Sequence, residues 1–112
     1  MQARELTEDG LHIIALSGEI DLAHSPELRA ILDAHAKAKR PALLLDFTTV
    51  DYIDSSGLAT LVEYVQKSAA FGGKFALGGV NARVKTILDL VRLGEVFAVH
   101  SNVADAKAAL RA

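Results

Sequence analysis

The sequence predicts a single α/β domain with a mixed, mostly parallel sheet of four to five strands and about four helices. Its 112 residues are near the commonest size of one domain, and no linker or internal repeat divides them. Short apolar segments alternate with amphipathic segments in the order β-β-α-β-α-β-α-β-α. Segment 42–47 is apolar almost throughout, as is typical of a strand covered on both faces. Single helices between consecutive strands indicate right-handed crossovers and therefore a largely parallel sheet.

The first half of the chain begins with a predicted hairpin. Segments 3–8 and 11–17 flank an Asp-Gly pair, which is typical of a two-residue turn between strands. A helix follows, for which we predict Ser25 as the N-cap and Pro26 as the first helical residue. His35 falls on the apolar stripe of that helix, which predicts a packed or half-buried side chain.

The later elements follow from apolar periodicity and from capping residues. They are strand 42–47, a short connector at 48–53, a helix at about 57–70, a strand at 74–78, a helix from Asn81 to Gly94, a strand at 96–99 and a final helix from Asn102 to about Leu110. The third helix carries a stripe that includes Val91, and Asn102 with Asp105 resembles a capping box.

Composition excludes several function classes. Hydrophobic residues make up 51% and charged residues 23%, which predicts a soluble globular protein. The net charge of −2 offers no basic face for nucleic acid, and the absence of cysteine excludes disulfides and thiol catalysis. The four histidines lie at spacings that suggest no metal site, and we expect no cofactor. Without a long apolar segment or a signal peptide, the expected location is the cytoplasm.

The most informative segment is Asp54-Ser55-Ser56-Gly57, which opens the second predicted helix. Hydroxyl groups at a helix start can cap free backbone N–H groups, and a phosphate is electrostatically favoured at the same place. Sites in parallel sheets gather at the carboxyl ends of the strands. We therefore expect this segment to share one edge of the sheet with Asp21 and Asn81.

With these motifs placed, the chain resembles a STAS domain of the bacterial anti-sigma-factor antagonist family almost end to end. The motifs that carry the resemblance are Gly18-Glu19-Ile20-Asp21, Leu44-Leu45-Asp46-Phe47, Tyr52-Ile53-Asp54-Ser55-Ser56-Gly57-Leu58, Phe71-Gly72-Gly73-Lys74 and Leu93-Gly94 with Phe97. The resemblance implies that the second serine of the Asp-Ser-Ser-Gly segment, Ser56, is the phosphoacceptor. It also implies that Asp21, Asp54, Ser55, Ser56 and Gly57 form the surface that binds the partner.

The same resemblance implies a partner-switching circuit. The unphosphorylated form binds an anti-sigma factor that is also a serine kinase, and a sigma factor is thereby freed. Phosphorylation by that kinase ends the binding, and a serine phosphatase restores it. No direct contact with nucleic acid and no membrane span are expected.

Each of these residues also has a purely structural interpretation. Ser56 can be a simple helix cap, and Ser55 can be a cap, a buried hydrogen-bonding group or the phosphoacceptor itself. Asp54 can orient a serine or only stabilise the turn, and Asp21 can be an ordinary solvated loop carboxylate. Asp46 is expected to bind backbone donors. Arg83 and Lys85 can meet a phosphate, but exposed helix charges explain them as well.

Other functions stay open. An enzyme would need Ser56, an aspartate and His24 or His100 as a nucleophilic set, but the sequence lacks a G-x-S-x-G elbow, so we expect no enzyme activity. A weak nucleotide-binding module is a second alternative, although neither common phosphate-binding glycine motif is present. STAS domains also serve as stressosome scaffold subunits, accessory subunits of lipid-transport ATPases and parts of anion transporters.

Overall fold

The computed structural model describes all 112 residues and confirms the predicted class and order of elements. The elements are β1 (Gln2–Glu8), β2 (Leu11–Ile20), α1 (Ser25–Lys37), β3 (Ala42–Ile53), α2 (Ser55–Ala69), β4 (Lys74–Gly78), α3 (Ala82–Leu90), a 3₁₀ turn (Leu93–Glu95), β5 (Ala98–Val99) and α4 (Val103–Arg111).

The five strands form one sheet in the sequential order β1-β2-β3-β4-β5. β1 is antiparallel to β2, and the tight turn between them has positive φ angles at Asp9 and Gly10. All the other neighbouring strands are parallel. Because β2 and β3 run in the same direction, their last residues, Ile20 and Ile53, pair side by side at one edge. The connections that start there carry the segment on which the functional prediction rests.

Helices cover both faces of the sheet, but unequally. The larger core lies under α1, α2 and α3, and its sheet members include Ile14, Leu16, Leu43, Leu45, Phe75 and Leu77. The smaller core lies on the other face, where Ala106 and Leu110 of α4 pack against the sheet. No helix combines the length and the apolar content that crossing a bilayer requires, and the longest, α2, has 15 residues.

The predicted connector at 48–53 is wrong, because this segment continues β3. Its residues stay paired with β2 as far as Ile53, and Val50 and Ile53 are buried in the larger core. The pairing of the extension with β2 passes through two register shifts, at each of which β3 carries the extra residue, and one of them lies beside Gly18 with φ of +85°. The bulges explain why strict alternation of apolar and polar residues is lost there and why the strand was missed.

The prediction of Ser25 as N-cap of the first helix is also wrong. Ser25 is the first helical residue, and His24 occupies the cap position without a side-chain hydrogen bond. The third helix ends at Leu90, and Val91 is exposed instead of packed. β5 has only two residues, while the Asn81 and Asn102 side chains cap their helices as predicted. His35 is buried, as predicted, and its Nε2 lies 2.5 Å from Glu5 Oε1.

Candidate functional site

The candidate site lies where β2 and β3 end and α2 begins. The backbone N–H of Asp54 donates to the carbonyl of Ile20 (3.1 Å), so the two strand ends are joined just before the helix starts. The third residue of α2 sits directly against these ends. A Cβ atom at Gly57 would lie 2.7 Å from Cγ1 of Ile53 and 2.8 Å from Cγ2 of Ile20, closer than real contacts. Glycine at this position therefore lets the helix begin flush against the sheet.

The Asp54 carboxylate is the centre of the site. Its Oδ1 accepts hydrogen bonds from the backbone N–H groups of Ser56 (2.9 Å) and Gly57 (3.2 Å) and from the Ser56 hydroxyl (2.6 Å). Its Oδ2 accepts from the backbone N–H of Leu22 (3.1 Å), in the loop between β2 and α1. The true N-cap of α2 is therefore Asp54 and not a serine, and the same carboxylate ties the helix to the neighbouring loop.

These hydrogen bonds change the acidity of the carboxyl group. The hydrogen bond from the Ser56 hydroxyl is the largest influence and lowers the pKa of Asp54 below its ordinary value. The backbone donors of Gly57, Ser56 and Leu22 lower this pKa further, while partial burial opposes them. Asp54 is thus an anion at neutral pH and a stronger hydrogen-bond acceptor than a neutral group.

A short chain of hydroxyls links α1 to this carboxylate. Ser25 Oγ lies 2.8 Å from Ser56 Oγ and 2.8 Å from the carbonyl oxygen of Asp21. Each hydroxyl has one proton to donate, and the Ser56 hydroxyl donates its hydrogen bond to the ionised Asp54. The Asp21 carbonyl already accepts from the N–H groups of His24 and Ser25. The Ser25 hydroxyl donates to this carbonyl as well, so Ser25 Oγ lies between the Asp21 carbonyl and the Ser56 hydroxyl, which in turn donates to Asp54.

Asp21 lies on the other side of Ser25 and holds His24. Its Oδ1 accepts from the His24 backbone N–H (3.1 Å) and lies 2.6 Å from His24 Nδ1. Both side chains are about one-third exposed. The structure thus brings Asp21, Asp54 and Ser56 together as neighbours through Ser25. The enzyme hypothesis needs a histidine on the serine, but the partners of the Ser56 hydroxyl are Asp54 and Ser25.

The two serines of the segment differ sharply. Ser56 is half-buried, and its hydroxyl is held between Asp54 and Ser25. Ser55 is the first residue of α2, is exposed to solvent, and makes none of the hydrogen bonds that hold Ser56. The Ser56 hydroxyl is therefore part of the hydrogen-bond network of the site, whereas the Ser55 hydroxyl belongs to an exposed residue outside that network.

Other residues singled out from the sequence lie outside this cluster. Asn81 caps α3 and donates to the carbonyl of Val50 (3.0 Å), four residues before Asp54. The Arg83 guanidinium lies over the ring of Tyr52, 5.7 Å from its centroid. Two further side chains pair locally. Lys85 binds Asp89 in the same helix, and Asp46 accepts from the backbone N–H and hydroxyl of Thr48, as expected for a group that binds local donors.

Sequence inspection missed two parts of the site. Ser25 was predicted only as a cap, although its contact with Ser56 follows from two adjacent helices starting at one edge of the sheet. The second is Leu22, whose backbone bond to Asp54 spans 32 positions in the sequence. No local pattern marks that contact, because it depends on how the ends of β2 and β3 align.

The chain is similar to proteins of one family. An anti-sigma F factor antagonist of Paenibacillus polymyxa is 28% identical over 98 residues, which cover 87% of this chain and 84% of that protein. An anti-sigma-B factor antagonist of Listeria monocytogenes is 23% identical over 99 residues, covering 88% and 86% of the two chains. The crystal structure of an anti-sigma factor antagonist from Mycobacterium paratuberculosis superposes with a TM-score of 0.91 at 26% identity, covering 99% and 94%.

The family model that describes the STAS domain matches residues 3–106, which is nearly the whole chain. The match runs from β1 into α4 and includes the Asp-Ser-Ser-Gly segment at the start of α2. The protein therefore belongs to the STAS domain family.

Proposed function

We propose that this protein is an anti-sigma factor antagonist that works as a phosphorylation-controlled binding module. The observation that carries the proposal is an exposed serine at the first position of α2, presented by an aspartate cap at the functional edge of a STAS domain. The relatives named above are anti-sigma antagonists, which supports the same role. In its unphosphorylated form the protein binds an anti-sigma factor that is also a serine kinase, and a sigma factor is freed.

The geometry favours Ser55 as the phosphoacceptor, whereas the sequence resemblance implied Ser56. A hydroxyl that reaches ATP bound to another protein must be accessible, and Ser55 is the exposed one of the pair. A phosphate on Ser56 would be placed against the Asp54 carboxylate and the buried Ser25, because both touch its hydroxyl. It would also remove the hydroxyl donor from the cap of α2. A phosphate on Ser55 leaves this network intact and remains at the positive end of the α2 dipole.

Phosphorylation at this position would act chiefly on the partner surface. It adds a charge of about −1.5 to −2 and three strong acceptor oxygens beside Asp54 and Asp21. The helix dipole tolerates this charge, so the domain stays folded, while a partner fitted to a neutral hydroxyl is repelled. A coupling of roughly 1–3 kcal/mol would lower the affinity about 5- to 150-fold. A serine phosphatase would restore binding, and the whole circuit would operate in the cytoplasm, where sigma factors act.

Site mapping tests both the function and the choice of serine. The protein is incubated with the anti-sigma-type serine kinases of its source cell and ATP, and the modified residue is identified by mass spectrometry. We expect phosphate on Ser55, full loss of labelling in Ser55→Ala and continued labelling of Ser56→Ala. Modification of Ser56 alone would restore the assignment implied by the resemblance, and the absence of any labelling of this segment would refute the switch.

Binding of phosphomimetic variants tests the direction of the switch. In calorimetric titrations with the same kinase, Ser55→Ala should bind like the wild type and Ser55→Asp should bind at least fivefold more weakly. Both variants should unfold at the wild-type temperature. Equal affinities of the two variants would count against control by charge at this position.

A further inference from the structure

Leu22 is an exposed apolar residue in the middle of the candidate site. Its side chain is 74% exposed, in the loop between β2 and α1. A single exposed leucine is ordinary on a protein surface and needs no explanation by itself. What distinguishes Leu22 is its backbone N–H, which donates to Oδ2 of Asp54, the residue that immediately precedes the serine pair. The backbone of Leu22 is therefore tied to the residue that precedes the proposed phosphoacceptor.

The chain on both sides of Leu22 is also held in place. Ile20, two residues earlier, is fully buried and accepts from the backbone of Asp54. Asp21 accepts through its carbonyl from the N–H groups of His24 and Ser25, which closes the turn that contains Leu22. A backbone held in this way loses little further conformational freedom when a partner covers its apolar side chain. This pre-organisation favours binding.

The segment that carries Leu22 is acidic. Glu19 and Glu27 are exposed on the same segment, Asp21 is the residue before Leu22, and the Asp54 carboxylate accepts from the Leu22 N–H. Within residues 19–27 the only basic group is His24, which is bound to Asp21. A complementary partner surface therefore has an apolar socket bordered by lysine or arginine side chains.

We propose that Leu22 is the apolar anchor of the partner interface and inserts into such a socket on the anti-sigma factor. This inference rests on the proposed function and deepens it, because it names the residue that supplies binding energy beside the switch. Asp54 then has two roles. It caps α2 through Oδ1, and through Oδ2 it positions the anchor. A phosphate on Ser55 adds negative charge at the border of the same contact, where the basic residues of the partner must fit.

The test is a titration of the purified anti-sigma-type serine kinase with wild-type protein, Leu22→Ala and Leu90→Ala. Leu90 is a matched control, because it is 79% exposed and lies at the far end of α3 from the Asn81 cap that contacts β3. We expect Leu22→Ala to bind about 10- to 100-fold more weakly and Leu90→Ala to bind like the wild type. Thermal unfolding should be the same for all three proteins, since neither side chain is packed in the core.

The possible outcomes separate the two proposals. If the wild type binds none of these kinases, the proposed function and this inference both fail. If the wild type binds and Leu22→Ala binds equally well, only the anchor is overturned. Equal weakening by Leu22→Ala and Leu90→Ala also overturns it, because the effect is then not local. The charge argument adds one requirement: wild-type affinity should fall as sodium chloride is raised, and a salt-independent affinity would contradict the basic border.

Discussion

The two helices that meet at the candidate site begin in opposite ways. α2 starts directly after Asp54, whose carboxylate caps its free N–H groups. α1 starts four residues after Asp21, and its cap residue, His24, makes no side-chain capping bond. The hydroxyl of its first residue, Ser25, contacts the Asp21 carbonyl in the preceding loop and the Ser56 hydroxyl in the neighbouring helix α2. Similar residues therefore take different roles, and their exact distance from the helix start decides which role each one has.

The difference also separates what is structural from what is available for chemistry. Ser25 at the start of α1 is only 3% exposed, and Ser56 is held between it and Asp54. Ser55 at the start of α2 is exposed. α1, whose start has no side-chain cap, thus contributes a buried hydroxyl that contacts Ser56, and α2, which Asp54 caps, carries the exposed residue Ser55 at its start. The predictions below test this division of roles.

The largest effect is expected where α2 rests on the strand ends. Gly57→Ala forces a methyl group against Ile53 and Ile20, and the backbone carbonyl of Ile20 lies 3.1 Å from the same position. We expect a loss of about 1–3 kcal/mol in the free energy of unfolding. Urea denaturation measures it, with Gly94→Ala as the control, since a Cβ at Gly94 meets no atom within 4 Å. A Gly57→Ala protein as stable as the control would mean that α2 can shift freely on the sheet.

The next effect concerns the two aspartates. Asp54→Ala removes the acceptor of three backbone N–H groups and one hydroxyl, so we expect a loss of about 1–2 kcal/mol. Asp54→Asn should recover only part of this loss, because asparagine keeps a capping oxygen for the helix but its NH₂ group cannot accept from the Leu22 N–H. Asp21→Ala should cost less than about 1 kcal/mol, since its carboxylate serves only His24. Urea denaturation measures the free energy of unfolding of each variant. Equal losses for Asp54→Ala and Asp21→Ala would contradict the view that a side-chain cap matters for α2 and not for α1.

Much of the fold could be predicted from the sequence because its signals are local. Alternating apolar and helical segments gave the order of all elements, and the Asp-Gly pair gave the hairpin. The extension of β3 could not be predicted, because it depends on bulged pairing with β2 some 30 positions away. Val50 and Ile53 are recognised as core residues only when that pairing places them in the interior.

The candidate site was predicted in place but not in detail. The topology rule brought Asp21 and the Asp54 segment to one edge of the sheet, and the structure places them there. The helix was predicted to start at about residue 57, and it starts two positions earlier, at Ser55, which makes Asp54 the cap. Sequence signals do not resolve helix ends to within two residues. The contacts of Ser56 with Ser25 and of Asp54 with Leu22 join different elements, so only the folded chain reveals them.

A smaller effect is expected for the hydroxyl pair that links the two helices. Ser25→Ala and Ser56→Ala remove the two ends of a 2.8 Å contact, and each single variant breaks it while the remaining hydroxyl keeps its other partner, Asp54 for Ser56 and the Asp21 carbonyl for Ser25. A double-mutant cycle should therefore give a coupling of about 0.5–1.5 kcal/mol in the free energy of unfolding. The matched cycle of Ser25→Ala with Ser55→Ala should give no coupling, because Ser55 is outside the network. Coupling of the same size in both cycles would contradict the separation of the two serines.

The most local effect is on the acidity of Asp54, and it separates the two serines without relying on stability. The Ser56 hydroxyl is the main cause of the lowered pKa, so Ser56→Ala should raise the pKa of Asp54 toward its ordinary value of 3.8, while Ser55→Ala leaves it unchanged. A folded-state pKa below the unfolded one means that the unfolded chain binds more protons. The stabilisation is therefore present above pH 3.8 and is lost as the pH falls through the folded pKa. Carboxyl NMR titration of the three proteins measures the shift directly. If Ser55→Ala raises the pKa of Asp54 as much as Ser56→Ala does, then both hydroxyls bind the Asp54 carboxylate, and the Ser55 hydroxyl is not free.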